Sequence, residues 1–275
     1  MDTSLQLLRG MNQVLGRLAP AWAAHQARVR FTTPRRTPER RWEAAVEASA
    51  DRRTLAVGWS TLHWGSDEAR GRVLCMHGWE GRATQFGRLA ERLVGEGWGV
   101  VALDGPGHGA SPEEQAHPLA FARALQDVDR ELGPFDAAVG HSMGAGALGF
   151  ALGWGLSPQR VALLASPSSL FNVIDRYGLY IGLPADARAR LVDAMAAHVG
   201  FTPDELDVAR VAASLTQDAL VVHDPDDVEV PASDGRAIAE HWPTARFVEV
   251  SGVGHRGLLR DPGVLDEVAA FLGRR

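Results

Sequence analysis

One pentapeptide in the chain has the spacing of a catalytic serine. Gly140-His141-Ser142-Met143-Gly144 fits the pattern G-x-S-x-G, in which the serine occupies a strained turn between a strand and a helix. The pattern needs glycines because a Cβ on either side would collide with the neighbouring strand and helix. Such a turn lifts the Ser142 hydroxyl clear of the sheet, where it can act as a nucleophile.

A serine nucleophile needs a histidine base, and a carboxylate must orient that histidine. Two later loops offer these groups. His255 follows a predicted strand in a glycine-rich loop, and Asp224, Asp226 and Asp227 follow the strand before it. Both loops lie at the C-terminal ends of strands, where the active sites of α/β sheets collect. One of the three aspartates is therefore expected to face His255.

Short apolar runs that alternate with helical patterns predict the elements that position these residues, because this rhythm is typical of buried parallel strands joined by crossover helices. The predicted strands are Val73 to Met76, Gly99 to Leu103, Phe135 to Val139, Val161 to Ala165, Ala219 to Val222 and Arg246 to Val250. The predicted helices are Phe86 to Leu93, Leu119 to Leu132, Ala145 to Leu152, Ile238 to Trp242 and Val264 to Phe271.

The first part of the chain has two other patterns. Apolar residues recur at three- and four-residue steps from Leu7 to Trp22, which predicts an amphipathic helix that ends before Pro34. Polar and apolar residues alternate from Arg41 to Trp64, which favours two half-buried antiparallel edge strands. We therefore predict a helical arm over residues 1–38 and a main domain over residues 39–275.

The connection from Pro167 to Asp218 spans about 50 residues, far more than the usual loops and one helix require. Ala185 to His198 and Pro203 to Ala213 both have helical patterns. This segment is predicted to be a small helical lid over the strand ends, inserted at residues 168–217.

These motifs and their order resemble the α/β-hydrolase superfamily from about Arg72 to the C-terminus. The resemblance implies an α/β fold with a mostly parallel central sheet, helices on both faces and a small helical lid. The chain order Ser142, Asp227, His255 is the order that this family uses.

The resemblance also ranks the three aspartates. In that family the acid loop typically has the form D-x-x-V-P, which corresponds here to Asp227 followed by Val230-Pro231. Asp226 is the runner-up, and Asp224 is third because it is expected to cap a turn.

An oxyanion needs preorganised N–H donors. Met143, the residue after the nucleophile, offers its backbone amide. The stretch His77-Gly78-Trp79-Glu80-Gly81 looks like the family's oxyanion loop, so the resemblance implies the Trp79 amide as second donor. His77 is expected to be a structural hydrogen-bonding residue, and residues 104–111 are similar to a structural loop of the family.

These residues predict an acyl hydrolase, and carboxylesterase is the favoured activity. The same triad serves peptidases, lactonases, acyltransferases and perhydrolases, and a non-catalytic ligand-binding protein can share the fold. Phe86, Tyr177 and Tyr180 are candidates for an apolar acyl pocket. The sequence implies no cofactor, and its histidines have no metal-ligand spacing.

The composition of the chain limits the classes of partner that it is expected to bind. A net charge of −6 and 45% hydrophobic residues argue against a nucleic-acid-binding or disordered chain. The single cysteine, Cys75, lies in an apolar run, and no stretch has the form of a bilayer span or a signal peptide. These features predict a cytoplasmic protein whose partner is a small acyl substrate.

The basic N-terminal segment leaves two alternatives open. Six arginines and no acidic residue lie between Thr3 and Pro38. The helix there could pack as an arm on the body or on a partner subunit, as in a homodimer, or could lie on an anionic membrane. Its interspersed glutamines favour the arm.

Overall fold

The computed structural model describes residues 3–36, 38–66, 68–202, 205 and 207–274. These residues form two compact units. The helical unit combines the chain up to residue 34 with residues 169–207, and the sheet unit combines residues 35–168 with the chain from residue 208 onward. The N-terminal helices and the inserted helices therefore share one unit, a pairing that the sequence patterns did not predict.

The described part of the sheet unit contains an eight-stranded sheet with the order β1-β2-β4-β3-β5-β6-β7-β8. Its strands are β1 Asp51–Thr54, β2 Ser60–Trp64, β3 Arg72–Met76, β4 Gly99–Leu103, β5 Ala137–His141, β6 Arg160–Leu164, β7 Asp218–His223 and β8 Ala245–Glu249. Strand β2 pairs antiparallel with both β1 and β4, and the other pairs are parallel. The predicted fold class is confirmed.

The helices of the sheet unit are α3 Arg41–Ala48, α4 Gly87–Gly95, α5 Pro118–Leu132, α6 Met143–Gly153, α9 Val208–Ala212, α10 Ala232–His241 and α11 Pro262–Leu272. Those of the helical unit are α1 Thr3–Leu18, α2 Pro20–Thr32, α7 Leu170–Tyr180 and α8 Ala185–Val199. None of these described helices has both the length and the apolar character needed to cross a membrane.

The central strands are apolar throughout because both faces of the sheet are covered. In β3, Val73 and Cys75 belong to a core cluster that also contains Leu89 of α4. Leu74 and Met76 alternate with them, are also buried and point to the opposite face. This two-sided burial explains why the parallel strands read as continuous apolar runs.

The strand prediction for Arg41 to Trp64 is wrong in its first part. Arg41–Ala48 forms helix α3, and the Glu43 carboxylate caps its start by accepting the Arg40 backbone N–H at 2.7 Å. Strands β1 and β2 follow as an antiparallel pair, joined by a turn in which Gly58 has a φ of +95°. Of these two strands, β1 is an edge strand and β2 is not, because β2 lies between β1 and β4.

Two helical predictions also need correction. The N-terminal pattern forms two helices, because Pro20 starts α2 at a position where its fixed φ and missing N–H are tolerated. Helix α7 was not predicted, although the Ser169 hydroxyl caps it by accepting the Asn172 N–H. Residues 203, 204 and 206 of the predicted helix Pro203 to Ala213 lie outside the described residues, and α9 accounts for its last part.

Within the helical unit, α1 and α2 pack against the inserted segment. The Asn12 amide donates to the Ile181 carbonyl at 2.8 Å, and a Cβ on Gly16 would lie only 2.4 Å from Pro184. The ring centroids of Phe31 and Tyr177 are 5.0 Å apart. The N-terminal segment is thus held by the insertion, and the lid function of the insertion stays a prediction.

Candidate active site

Ser142 lies in the turn between β5 and α6, with φ of 54° and ψ of −126°. A residue other than glycine rarely adopts this backbone conformation, and such strain persists only where neighbouring structure enforces it. The Ser142 N–H donates to the Leu164 carbonyl at 2.8 Å. A Cβ on Gly140 would lie 2.5 Å from the Ala145 Cα, and one on Gly144 only 2.2 Å from the His77 carbonyl oxygen. Close backbone packing therefore explains both glycines of the motif.

Asp227 and His255 form a hydrogen-bonded pair. Asp227 Oδ2 lies 2.6 Å from His255 Nδ1, and both residues are buried. Because a carboxylate can only accept, we assign the proton to Nδ1, which leaves Nε2 as the basic nitrogen. Asp226 is exposed. Of the three aspartates, the structure therefore pairs Asp227 with His255.

The second carboxylate oxygen of Asp227 explains the Val-Pro part of its motif. Asp227 Oδ1 accepts the backbone N–H groups of Glu229 at 2.8 Å and Val230 at 3.0 Å. Burial opposes ionisation of Asp227, but hydrogen bonds from His223 and His255 outweigh it and hold the pKa of Asp227 well below its ordinary value. The carboxylate is therefore charged and fixed in orientation.

His223 supports the same carboxylate from the strand side. Its Nε2 lies 3.0 Å from the Val230 carbonyl and 3.5 Å from Asp227 Oδ2. Both neighbours are acceptors, so Nε2 carries the proton. The sequence contains a signal for this contact, because His223 ends β7 four residues before Asp227, but its role was not predicted.

His141 connects the serine turn to His255. His141 Nε2 lies 3.0 Å from the His255 backbone carbonyl, and the two ring centres are 4.9 Å apart. His141 directly precedes Ser142, so this contact brings the serine turn and the histidine loop together. Sequence reasoning missed it because position x of G-x-S-x-G has no required residue type.

Asp224 has a larger role than the predicted turn cap. One of its oxygens accepts the Asp226 N–H at 2.9 Å, as a cap would. The other accepts the backbone N–H groups of Val253 at 2.7 Å and Gly254 at 2.6 Å. These amides immediately precede His255, so the buried Asp224 ties the histidine loop to the end of β7.

The loop after β3 lies against the serine. A Cβ on Gly78 would be 2.8 Å from the Ser142 Cβ, so only a glycine permits this approach. The first amides of a helix lack partners within it, and Met143 is the first residue of α6. The loop that carries Trp79 and the start of α6 thus adjoin Ser142, and the role of their amides as oxyanion donors stays a prediction.

Two neutral histidines hold the loop after β3 in place. His77 Nε2 accepts the Gly105 N–H at 2.9 Å, and its Nδ1 donates to the Gly78 carbonyl at 2.7 Å. His108 Nε2 accepts the Glu80 N–H at 3.0 Å. Burial, together with the neighbouring His108, lowers the pKa of His77 to about 3. His77 is therefore neutral, and its two hydrogen bonds stabilise the loop after β3.

The three candidate pocket residues are placed differently from one another. Phe86 has no exposed surface and packs in the core cluster with Leu89 and Leu93, so we assign it to the core. Tyr177 and Tyr180 belong to helix α7 of the helical unit, and Tyr180 is 60% exposed. Their contribution to a substrate pocket stays a prediction.

We expect the free energy of unfolding to fall as the pH is lowered from about 7 to about 5. Burial, with the neighbouring His255, lowers the pKa of His141 to about 3, and His77 has a similar value. Unfolding restores an ordinary pKa of 6.5, so the unfolded chain binds more protons in this interval and is favoured. Urea unfolding at several pH values measures the effect.

A variant separates this effect from general acid sensitivity. In His141→Gln the side-chain amide can still donate to the His255 carbonyl but does not titrate, so its stability should decline less steeply. Buried carboxylates titrate mainly below about pH 5 and contribute little in this interval. A wild-type stability that stays constant over the interval would contradict the prediction.

The strand order, the strained serine after β5 and the Asp-His pair after β7 and β8 together define an α/β-hydrolase. Residues 67–236, more than half of the chain, match the Hydrolase_4 family, which is described as serine aminopeptidase, S33. The chain belongs to this family. The matched segment includes Ser142 and Asp227 and ends before His255.

Known relatives agree with this class. A serine hydrolase-like protein of Danio rerio is 33% identical over 103 residues, which is 34% of this chain and 31% of that protein. A solved membrane phospholipase A, described as a bacterial virulence factor, is 17% identical with a TM-score of 0.64, covering 98% of this chain and 96% of that one. An esterase from a Rhodococcus species is 16% identical with a TM-score of 0.60, covering 82% and 98%.

The sequence match is partial, and the structural matches have low sequence identity. The chain spans about a third of the length of the Danio rerio protein, and the solved structures are similar in fold alone. What they share with this chain is a hydrolase scaffold.

Proposed function

We propose that the protein is a serine hydrolase that cleaves carboxylic esters through an acyl-enzyme on Ser142. The observation that carries this proposal is the 2.6 Å contact between Asp227 and His255, made by a histidine whose backbone carbonyl contacts the residue next to the strained serine. The esterase and phospholipase activities named for the structural neighbours support an ester substrate.

The proposed mechanism follows from the assigned protons. Ser142 Oγ attacks the ester carbonyl while His255 Nε2 takes its proton, and Asp227 stabilises the resulting imidazolium. The backbone N–H groups of Trp79 and Met143 donate to the oxyanion. His255 then protonates the leaving alcohol, and a water molecule activated by the same histidine releases the acid.

Covalent labelling with a fluorophosphonate tests the nucleophile. We expect the wild type to be modified at Ser142, located by peptide mass spectrometry, and Ser142→Ala to lose all labelling. Ser214→Ala removes an exposed serine elsewhere in the sheet unit and should be labelled like the wild type. An unlabelled wild-type protein would instead favour a non-catalytic binding protein with misaligned groups.

A second candidate function is aminopeptidase, which the description of the matched family favours. The two activities share the same nucleophile and differ in the leaving group. Comparing turnover of p-nitrophenyl butyrate with that of aminoacyl p-nitroanilides separates them, and a preference for the anilides would overturn the esterase assignment. Lactonase, acyltransferase and perhydrolase activities remain alternatives on the same residues.

A further inference from the structure

Most of the large apolar side chains that are exposed in the described residues lie on the helical unit. They are Leu7, Met11, Val14, Leu18, Trp22, Phe171, Leu179 and Tyr180. Scattered exposed apolar residues are normal, but a contiguous set indicates an interaction surface.

Four of these residues form one continuous stripe. Leu7, Met11, Val14 and Leu18 follow at steps of four, three and four residues, which places them on one side of α1 over about 17 Å. Their exposed fractions are 67%, 53%, 56% and 79%. We call these four residues the α1 stripe.

The α1 stripe is not the face by which α1 packs within its unit. That contact is made by Asn12, which donates to the Ile181 carbonyl, and by the buried Gly16 beside Pro184. Helix α1 is thus an arm packed through one face while a second, apolar face is left open. The two alternatives that the sequence left for this helix are therefore compatible.

The exposed end of α7 does not belong to the α1 stripe. Ile181 follows directly after α7, so its bond to Asn12 places the end of α7 against the packing face of α1. Leu179 and Tyr180, at that end, are 48% and 60% exposed and form a separate apolar pair.

The charge of this segment selects the occupant. Arg17 is exposed on α1 and flanks the stripe, and no acidic residue lies between Thr3 and Pro38. Arg9 lies on the opposite side of α1, where a Cβ on Gly182 would be 2.9 Å from the Arg9 Cα. A second copy packed along the stripe would offer Arg17 no carboxylate from its own α1. An anionic lipid headgroup layer would neutralise Arg17 and would also accept the apolar side chains.

We propose that the α1 stripe binds the surface of an anionic lipid bilayer. Helix α1 lies in the plane of the headgroups, with Leu7, Met11, Val14 and Leu18 directed toward the acyl chains and Arg17 toward lipid phosphates. None of the stripe residues is among those proposed for catalysis.

Co-sedimentation of the full chain with vesicles tests the proposal. We expect binding to vesicles of phosphatidylcholine with one third phosphatidylglycerol, and much weaker binding to pure phosphatidylcholine. Met11→Asp combined with Leu18→Asp should weaken binding at least about tenfold, because it places charge in the apolar contact. Arg17→Gln should weaken binding to the anionic vesicles about fivefold.

One control variant and a folding measurement accompany the binding assay. Val57→Asp removes an exposed apolar side chain from the β1–β2 turn and should bind like the wild type, and circular dichroism melts verify folding of every variant. Absence of wild-type binding, or equal binding by the stripe variant, would overturn the proposal. A dimer in sedimentation equilibrium that the stripe variant converts to monomer, without vesicle binding, would assign the stripe to a second copy instead.

Discussion

Replacement of Asp227 by asparagine should lower kcat for a short-chain ester about 10⁴-fold, whereas Asp226→Asn should change it by less than about threefold. The two residues are adjacent, but only Asp227 contacts His255, at 2.6 Å. Asp226 is exposed, so its replacement is a matched control for position and charge. Steady-state hydrolysis of p-nitrophenyl butyrate measures both variants.

The large effect follows from the way the site would orient the new amide. The backbone N–H groups of Glu229 and Val230 donate to Asp227 Oδ1, so an asparagine would place its oxygen there and its NH₂ toward His255. His255 Nδ1 would then have to accept, and the proton would move to Nε2. In that tautomer Nε2 cannot take the proton of Ser142.

Two outcomes would contradict this prediction. One is an Asp227→Asn variant with near wild-type kcat, and the other is an equal loss in Asp226→Asn. Urea unfolding of both variants shows whether a loss of activity reflects the chemistry or the fold. If Asp226→Asn alone were inactive, the acid of the triad would have to be reassigned.

Gly144→Ala is expected to lower the free energy of unfolding by more than about 4 kcal/mol. A Cβ at this position would lie 2.2 Å from the His77 carbonyl oxygen and 2.4 Å from that of Met76. These are backbone atoms at the end of β3, which is buried in the middle of the sheet. They cannot move without displacing the loop that carries Trp79.

Gly95→Ala is the matched control. Gly95 ends helix α4, and a Cβ there would meet nothing within 4 Å. This substitution should leave stability unchanged or raise it by up to about 1 kcal/mol, because alanine favours a helix over glycine. Urea midpoints of the two variants test the pair, and a Gly144→Ala protein as stable as the wild type would show that the turn has more room than its geometry indicates.

Local sequence patterns predict an element best where a single physical requirement, such as burial on both faces, determines its residues. Strand β4 was predicted with its observed bounds, because a strand buried on both faces reads as an unbroken apolar run. Helix α3 was missed, because an eight-residue helix contains too few turns for its period to stand out from strand-like alternation. Phe86 is a pocket candidate by sequence but packs in the core, because an aromatic side chain gives the same sequence signal in a core and in a cavity.

The contacts that hold the site together join residues far apart in the chain. Asp224 bonds to the amides before His255, and His141 contacts the His255 carbonyl. No local pattern contains these pairings, because they depend on β5, β7 and β8 ending at one edge of the sheet.

By itself, the sequence determined the sheet class, the serine turn and the two loops that supply an acid and a base. Each of these features depends on a short segment of the chain. The segment contains either glycines that permit close backbone approach or an apolar run that must be buried. Only the tertiary structure decided between Asp227 and Asp226, because the direction of two adjacent side chains depends on the turn that Asp224 closes. It also decided that α1 packs through one face and leaves the α1 stripe exposed, since a helical pattern shows that a face is apolar but not what covers it.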